Sequence, residues 1–237
     1  NVLYITLEMA EERIAERIDA NLLDVTMEDL HDMPQQLYDG KIKKLREKTQ
    51  GQLIIKEYPT ASAHSGHFKS LINELALKKS FRPDVIFIDY LNICASSRFK
   101  GGNISSYFYV KAIAEELRGL AVESNVPIFS ATQTTRTGFV STDIGLEDTS
   151  ESFGLPATAD FMFALISNEE LEALGQMKIK QLKNRYNDPS VNRAFIVGVD
   201  RSKMRLYDVQ QSSQNIVDSN QVDEKEDAYN KFSDFKL

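Results

Sequence analysis

The sequence has a single cysteine, three histidines and no long apolar run. Cys94 alone excludes an internal disulfide and fits a reducing compartment. It follows an apolar strand pattern and reads as a small buried side chain. His31, His64 and His67 together with one thiol do not make a zinc set. His64 and His67 flank a helix start and read as capping or solvated groups. No apolar stretch approaches the ~18–20 residues of a membrane helix, so no membrane partner is expected. A basic leader with a cleavage site is missing as well. Instead, Asn1 opens a strand that reads as already in progress, as expected of a truncated domain. A positive surplus is also lacking, because the net charge is −7.

That average hides a segregation. Lys178 to Arg205 holds eight Lys/Arg against two Asp/Glu, and Leu206 to Leu237 holds three Lys against seven Asp/Glu. A basic segment followed by an acidic tail is compatible with a local polyanion contact and equally with a solvated face. The 237 residues, 42% hydrophobic and 27% charged, suit one large α/β domain, or one domain plus a tail, with a sizeable core.

Strand and helix patterns alternate along the chain. Residues 1–7 read as a buried strand. A helix follows, with Ala10, Ile14, Ile18 and Leu22 on one stripe. Thr26 with Asp29 resembles a capping box. Pro34 can open a helix that runs to about Thr49. Gln52–Tyr58 reads as a strand, Ser65–Lys79 as a helix and Val85–Ile88 as a short apolar strand. Ser105–Ser124 reads as a long helix with Ile113, Leu117 and Leu120 on its core face. Strands are expected at 126–131, 161–166, 178–182, 194–199 and 205–209. This order predicts βαβ units, a mainly parallel sheet and an extra set of strands at the end. From about Gln210 the composition predicts a disordered or peripheral tail, with Phe232, Phe235 and Leu237 as apolar anchors.

Ligands of open α/β sheets bind at the carboxyl ends of the strands. Glu8, Asp89 and Gln133 each stand at such an end, and they converge if their strands are neighbours. Asp89 closes an apolar strand, where a buried backbone can fix a carboxylate for magnesium, or where it simply caps the strand. Glu8 can orient and deprotonate a water, or merely favour the positive end of the following helix. Gln133 can hydrogen-bond a phosphate, or be an ordinary polar loop residue. Lys183 and Arg185 lie two apart and, in extended chain, share a face, as a phosphoryl clamp or as a solvated edge. Two loops suit polyanions or are ordinary surface loops. Residues 95–106 contain Arg98, Lys100 and Gly101-Gly102, and residues 134–152 contain Arg136, Gly138 and many hydroxyls.

Taken in order, these pieces resemble the DnaB-type, RecA-like hexameric helicase family. Tyr4-Ile5-Thr6-Leu7-Glu8-Met9-Ala10-Glu11-Glu12 resembles the motif after that family's phosphate loop, and Ile88-Asp89-Tyr90-Leu91 its second nucleotide motif. Ser130-Ala131-Thr132-Gln133 through Arg136 resembles the third. Glu151-Ser152 with Ala159-Asp160 resembles the DNA-loop segment and the strand after it. Lys183-Asn184-Arg185-Tyr186-Asn187 resembles the last motif. Longer stretches, among them Arg17–Asn21, Lys111–Arg118 and Gly154–Met162, resemble the T-even-phage branch of the family.

The resemblance covers roughly residues 1–209 and implies a RecA-like P-loop NTPase core over that range, with 210–237 as an acidic tail. It implies a ring of six identical subunits around single-stranded DNA, with ATP and Mg2+ bound between subunits. It also implies primase and helicase-loader partners, and work in the cytoplasm of an infected bacterial host. Glu8 is then the catalytic carboxylate, Asp89 serves magnesium and Gln133 senses the γ-phosphate. Lys183 and Arg185 reach the adjacent subunit's nucleotide, and Ser150, Glu151, Ser152 and Gly154 meet DNA, as do Arg98, Lys100 and Arg136 on the flanking loops.

The sequence departs from that pattern in three places. No glycine-rich loop ending in Gly-Lys-Ser/Thr is present. Ser150 stands where many relatives carry arginine, and Phe153 where they are smaller. Two other readings fit the same residues: another RecA-like ATPase such as a recombinase, and an inactive nucleic-acid- or protein-binding module.

Overall fold

Short apolar runs bounded by turn residues form buried parallel strands when helices cover both sheet faces. Four such runs form parallel strands here, β1 (Val2–Thr6), β2 (Leu53–Glu57), β3 (Val85–Asp89) and β4 (Ile128–Ser130), of which β1 and β3 carry buried residues. In the computed structural model, which describes residues 1–99, 104–134, 144–146, 154–188 and 191–210, they make a parallel sheet in the order β2-β1-β3-β4. Thr6 pairs with Asp89 across β1 and β3, and Ile88 pairs with Ser130 across β3 and β4.

The connections carry helices, as parallel pairing requires. Between β1 and β2 lie α1 (Glu11–Leu23), α2 (Met27–His31) and α3 (Gln35–Lys48). Thr26 caps α2 by accepting from the Asp29 amide at 3.0 Å. α4 (Ser65–Lys79) precedes β3 and opens on a reciprocal cap. The His64 ring accepts from the Gly66 amide, and the His67 ring accepts from the His64 amide. The two histidines therefore cap a helix. α5 (Ser106–Ser124) precedes β4 and ends on Asn125 in the left-handed region. α6 (Gly154–Thr158) belongs to the same unit.

The core lies between this sheet and α4 and α5. Leu3, Ile5, Ile86 and Ile88 meet Phe68, Leu71 and Leu75 of α4 and Val110, Ile113, Leu117 and Leu120 of α5. Burying each such side chain stabilises the fold by about 1.5–3 kcal/mol. Cys94 belongs to this core, and burial pushes its thiol up to about 12. The opposite sheet face carries Tyr4, Phe87 and Phe129 in a row. Neighbouring ring centroids are 6.0 and 5.3 Å apart. The stripe expected on α1 is only partly realised. Ile14 is buried, but Ala20 rather than Leu22 is the second buried position, and Leu22 is 51% exposed.

The closing strands form their own antiparallel sheet within a second compact unit. Its order is β5 (Phe161–Ile166), β6 (Gln176–Asn184), β7 (Ala194–Asp200) and β8 (Arg205–Asp208), with α7 (Glu169–Ala173) between β5 and β6. A small core of Ile144, Ala164 and Ile166, with Leu182 against it, holds this unit. Gly175, between α7 and β6, has φ +60, a conformation that favours glycine. Among the described residues, no helix is long and apolar enough to cross a membrane.

Candidate active site at the carboxyl edge of the parallel sheet

The three strand-end residues singled out by sequence stand on adjacent strands. β1 lies beside β3, and β3 beside β4, so Glu8, Asp89 and Gln133 follow three neighbouring carboxyl ends. Backbone bonds hold the rim. The Leu7 amide donates to the Asp89 carbonyl at 2.8 Å, and the Leu91 amide to the Ala131 carbonyl at 3.1 Å. The fully buried Thr6 hydroxyl donates to the Met9 carbonyl at 2.8 Å and accepts from the Met9 amide at 3.1 Å. The Thr60 hydroxyl donates to the Leu7 carbonyl at 2.7 Å. Together these bonds fix the turn from which the exposed Glu8 projects at the start of α1.

Asp89 is oriented by a side chain from the neighbouring strand. The Tyr4 hydroxyl donates to Asp89 Oδ2 at 2.8 Å. Burial, the bond to Asp89 and the charges of Asp89 and Glu8 all push the Tyr4 phenol far above its ordinary value, against the opposing pull of Arg17. The phenol is therefore a permanent donor at neutral pH. Gln133 lies beside the turn that follows Asp89, where its Nε2 donates to the Tyr90 hydroxyl at 3.3 Å. Two further side-chain bonds hold this edge. Thr132 Oγ1 donates to Asn92 Oδ1 at 2.8 Å, and Ser130 Oγ donates to the Ile88 carbonyl at 2.7 Å.

The Asp89 carboxylate is the group at this rim that could hold a hard cation. Among the described residues, no group of three or more His, Cys, Asp or Glu gathers into an all-protein cage. A hard cation held by one carboxylate and completed by phosphate oxygens and water is the arrangement that Asp89 can support.

The remaining sequence-predicted residues are placed differently. Lys183 lies in β6 and pairs with Met162, at a register shift in β5. The strand ends at Asn184, whose Oδ1 accepts from the amides of Tyr186 and Asn187, each at 3.1 Å. The chain therefore turns before Arg185, and the strand alternation that would set Lys183 and Arg185 on one face does not reach Arg185. Arg98 pairs with Glu115 of α5. Gly154 is buried, and a Cβ there would meet the Lys111 stem at 3.1 Å, so it allows close packing on α5. Lys100, Arg136, Ser150, Glu151 and Ser152 lie outside the described residues.

Sequence reasoning passed over two residues. Tyr4 was legible only as part of a motif, because its bond to Asp89 depends on the β1–β3 register. Glu116 sits on the buried stripe of α5 with Ala112, Ile113, Leu117 and Leu120. An acid on an apolar stripe was the available signal.

Residues 1–217 match the DnaB-like helicase C-terminal domain family. The chain is 49% identical over 216 residues to the DnaB-like replicative helicase of Enterobacteria phage T4, covering 90% of this chain and 46% of that protein. It is 35% identical over 138 residues to a probable plasmid replicative DNA helicase of Chlamydia trachomatis serovar L2, covering 56% of this chain and 28% of that protein. The chain thus spans less than half the length of either relative. Two solved structures share the fold at 16% identity and 88% coverage of this chain. They are the ATPase domain of G40P, with a TM-score of 0.71 over 74% of its length, and a DnaB-like replicative helicase described with its interactions with primase, with a TM-score of 0.70 over 50%. These likenesses identify the fold as the RecA-like α/β core.

Proposed function

The chain belongs to the family of DnaB-like helicase C-terminal domains, and from that membership we propose that it is the ATP-hydrolysing motor of a replicative DNA helicase. The motor works as a homo-hexamer on single-stranded DNA and unwinds the duplex in the 5′-to-3′ direction at a fork. The observation that carries the reading is the juxtaposition of Glu8, Asp89 and Gln133 at the ends of three neighbouring parallel strands, where α/β sheets bind ligands.

Each residue has a role that its position supports. Glu8, exposed on a fixed turn, orients the attacking water and accepts its proton. Asp89 would hold a magnesium ion, which when bound would supply charge neutralisation for the transferring phosphoryl group. Tyr4 keeps the Asp89 carboxylate in one orientation. Gln133, on the neighbouring strand end, donates to the γ-phosphate. Lys183 and Arg185 act on the nucleotide of the adjacent subunit, where an arginine supplied in trans is worth orders of magnitude in rate. Arg98, Lys100, Arg136 and residues 150–152 meet the DNA backbone. Primase and a helicase loader are the protein partners of this reading, and the infected host's cytoplasm is its setting.

Residues 1–237 contain no Gly-Lys-Ser/Thr cradle for the phosphates. The isolated chain is therefore expected to bind ATP weakly and to show no turnover. The complete gene product, given ATP and Mg2+, is expected to displace a strand from a forked duplex with a 5′ tail. Hydrolysis without displacement on any fork would contradict the helicase reading. Turnover by the isolated chain would contradict the need for a cradle. The trans role is tested by mixing Arg185→Ala subunits with subunits unable to bind ATP. Recovery of hydrolysis at mixed interfaces is expected, and its absence at every ratio would count against the assignment.

A further inference from the structure

Two adjacent carboxylates of α5 face in different directions, because successive residues on a helix are about 100° apart. Glu116 is 9% exposed and Glu115 lies at the surface. Both reach the same loop, the one that follows the Asp89 turn and carries Arg98.

Glu116 holds the root of that loop. Its Oε1 accepts from the Ser96 hydroxyl at 2.6 Å and the Arg98 amide at 3.4 Å. Its Oε2 accepts from the Ser97 hydroxyl at 2.8 Å, the Ser97 amide at 2.9 Å and the Ser65 hydroxyl, at the start of α4, at 3.1 Å. The Ser96 hydroxyl in turn accepts from the Arg98 amide at 3.2 Å. The Ser96 amide donates to the Tyr109 hydroxyl at 3.1 Å, and the Ala95 amide to the Ala63 carbonyl at 2.8 Å. Burial alone would raise the Glu116 carboxyl, but the Ser96, Ser97 and Ser65 donors outweigh it and hold the carboxyl below its ordinary value. A charged acceptor satisfied by this many donors is a strong anchor.

Glu115 does the reverse. It pairs with the Arg98 guanidinium and lies 3.9 Å from Lys111, with side-chain exposures of 50%, 38% and 40% for Arg98, Glu115 and Lys111. Exposed ion pairs of this kind are weak and screened by salt, so a stronger anion displaces them.

We propose that Glu116 is a positioning residue that fixes the backbone beneath Arg98, while Glu115 is an exchangeable counter-charge that a phosphate of single-stranded DNA displaces from the guanidinium. This rests on the reading of the loop as DNA-facing. Arg98 is thus held in place but kept neutralised until a nucleic-acid backbone arrives. The two neighbouring acids then have opposite effects on binding, which a role in stability alone does not produce.

The test is fluorescence anisotropy of a labelled oligothymidylate with the full chain, across a salt series. Glu115→Gln is expected to tighten binding several-fold, and Arg98→Ala to abolish that gain. Glu116→Gln is expected to weaken binding several-fold. Arg98→Ala and Glu116→Gln are each expected to lower the slope of log affinity against log salt by about 0.7, the value for one phosphate contact on a single strand. Ser97→Ala, a milder change, gives a smaller loss in the same direction. Faster amide exchange at Ser97 and Arg98 accompanies both loop-root variants. If Glu115→Gln binds like the parent, the counter-charge is refuted. A gain that survives Arg98→Ala assigns the effect to Lys111 or to bulk charge and refutes it too. If Glu116→Gln keeps the parent's affinity and exchange, the positioning role is refuted. If the parent chain itself binds no oligonucleotide, the DNA reading fails, and the proposal with it.

Discussion

The parallel sheet buries Leu3, Ile5, Ile86 and Ile88 under α4 and α5, whereas the antiparallel sheet buries Ala164, Ile166 and Ile196 and leaves Phe161, Phe163 and Leu165 about half exposed. The same alternation of side chains serves both. In the first unit, helices cover the apolar face, and Glu8, Asp89 and Gln133 stand at or just past the ends of neighbouring strands. In the second, three β5 residues in alternation remain partly open to solvent, and the chain turns at Asn184 on the residue's own side-chain bonds. Position in the first unit is set by neighbouring strands, so its strand-end residues are fixed by register. At the end of β6, pairing with β5 reaches Asn184, and beyond it the turn is held locally by that asparagine.

The largest expected difference between the regions is in core truncation. Phe68→Ala empties a fully buried site in the first unit and should cost about 3–5 kcal/mol in urea unfolding. A cost near zero would mean that α4 is not seated on the sheet. The next is Gly198→Ala in the second unit. A Cβ there would come within 2.3 Å of the Tyr207 ring on the adjacent strand. The ring is 46% exposed and can swing towards solvent, so the cost should be about 1 kcal/mol, the low end for overpacking. Removing the ring with Tyr207→Ala should relieve most of it in a double-mutant cycle. An unrelieved cost would place the strain elsewhere.

Acidification separates the regions more gently. The Glu116 carboxyl is held below its ordinary value of 4.5. A carboxylate depressed on folding contributes stability that is fully present above its unfolded value and is lost as pH falls through the folded one. The first unit should therefore weaken below about pH 4.5, and Glu116→Gln should flatten that decline in unfolding curves taken at successive pH values. An unchanged decline would remove Glu116 from the account. The smallest effect is expected from Leu165→Ser on the half-open face of β5, within about 1 kcal/mol. A cost as large as that of Phe68→Ala would show that this face is covered in solution.

Much of the fold was legible because many of its strands are continuous apolar runs bounded by turn residues. Ser65–Lys79 and Phe161–Ile166 have the boundaries that periodicity and turn signals predict. β4 is shorter than its apolar run: Ile128–Ser130 alone form the strand, although the Pro127 carbonyl still accepts from the Ile86 amide at 3.0 Å. β6 is longer than expected, because Gln176 and Met177 pair with Gly198 and Val197 of β7. Glu8, Asp89 and Gln133 were legible as strand ends, but their convergence depended on strand order, which a sequence does not state. Tyr4 was hidden for a related reason: only the β1–β3 register brings its hydroxyl to Asp89. Glu116 was hidden in an acidic pair that looks like a solvated helix face until the burial of its stripe is known. β6 ends at Asn184, so its alternation includes Lys183 and stops before Arg185.

Glu8 is the proposed base for ATP hydrolysis at the rim of the parallel sheet. The direct measurement is steady-state hydrolysis by the complete gene product on single-stranded DNA, alongside nucleotide binding, for the parent and Glu8→Gln. Turnover is expected to fall by roughly 10²–10⁴-fold, the usual contribution of a positioned general base, with nucleotide affinity retained. Unchanged turnover in Glu8→Gln, with nucleotide bound as tightly as by the parent, would contradict the account.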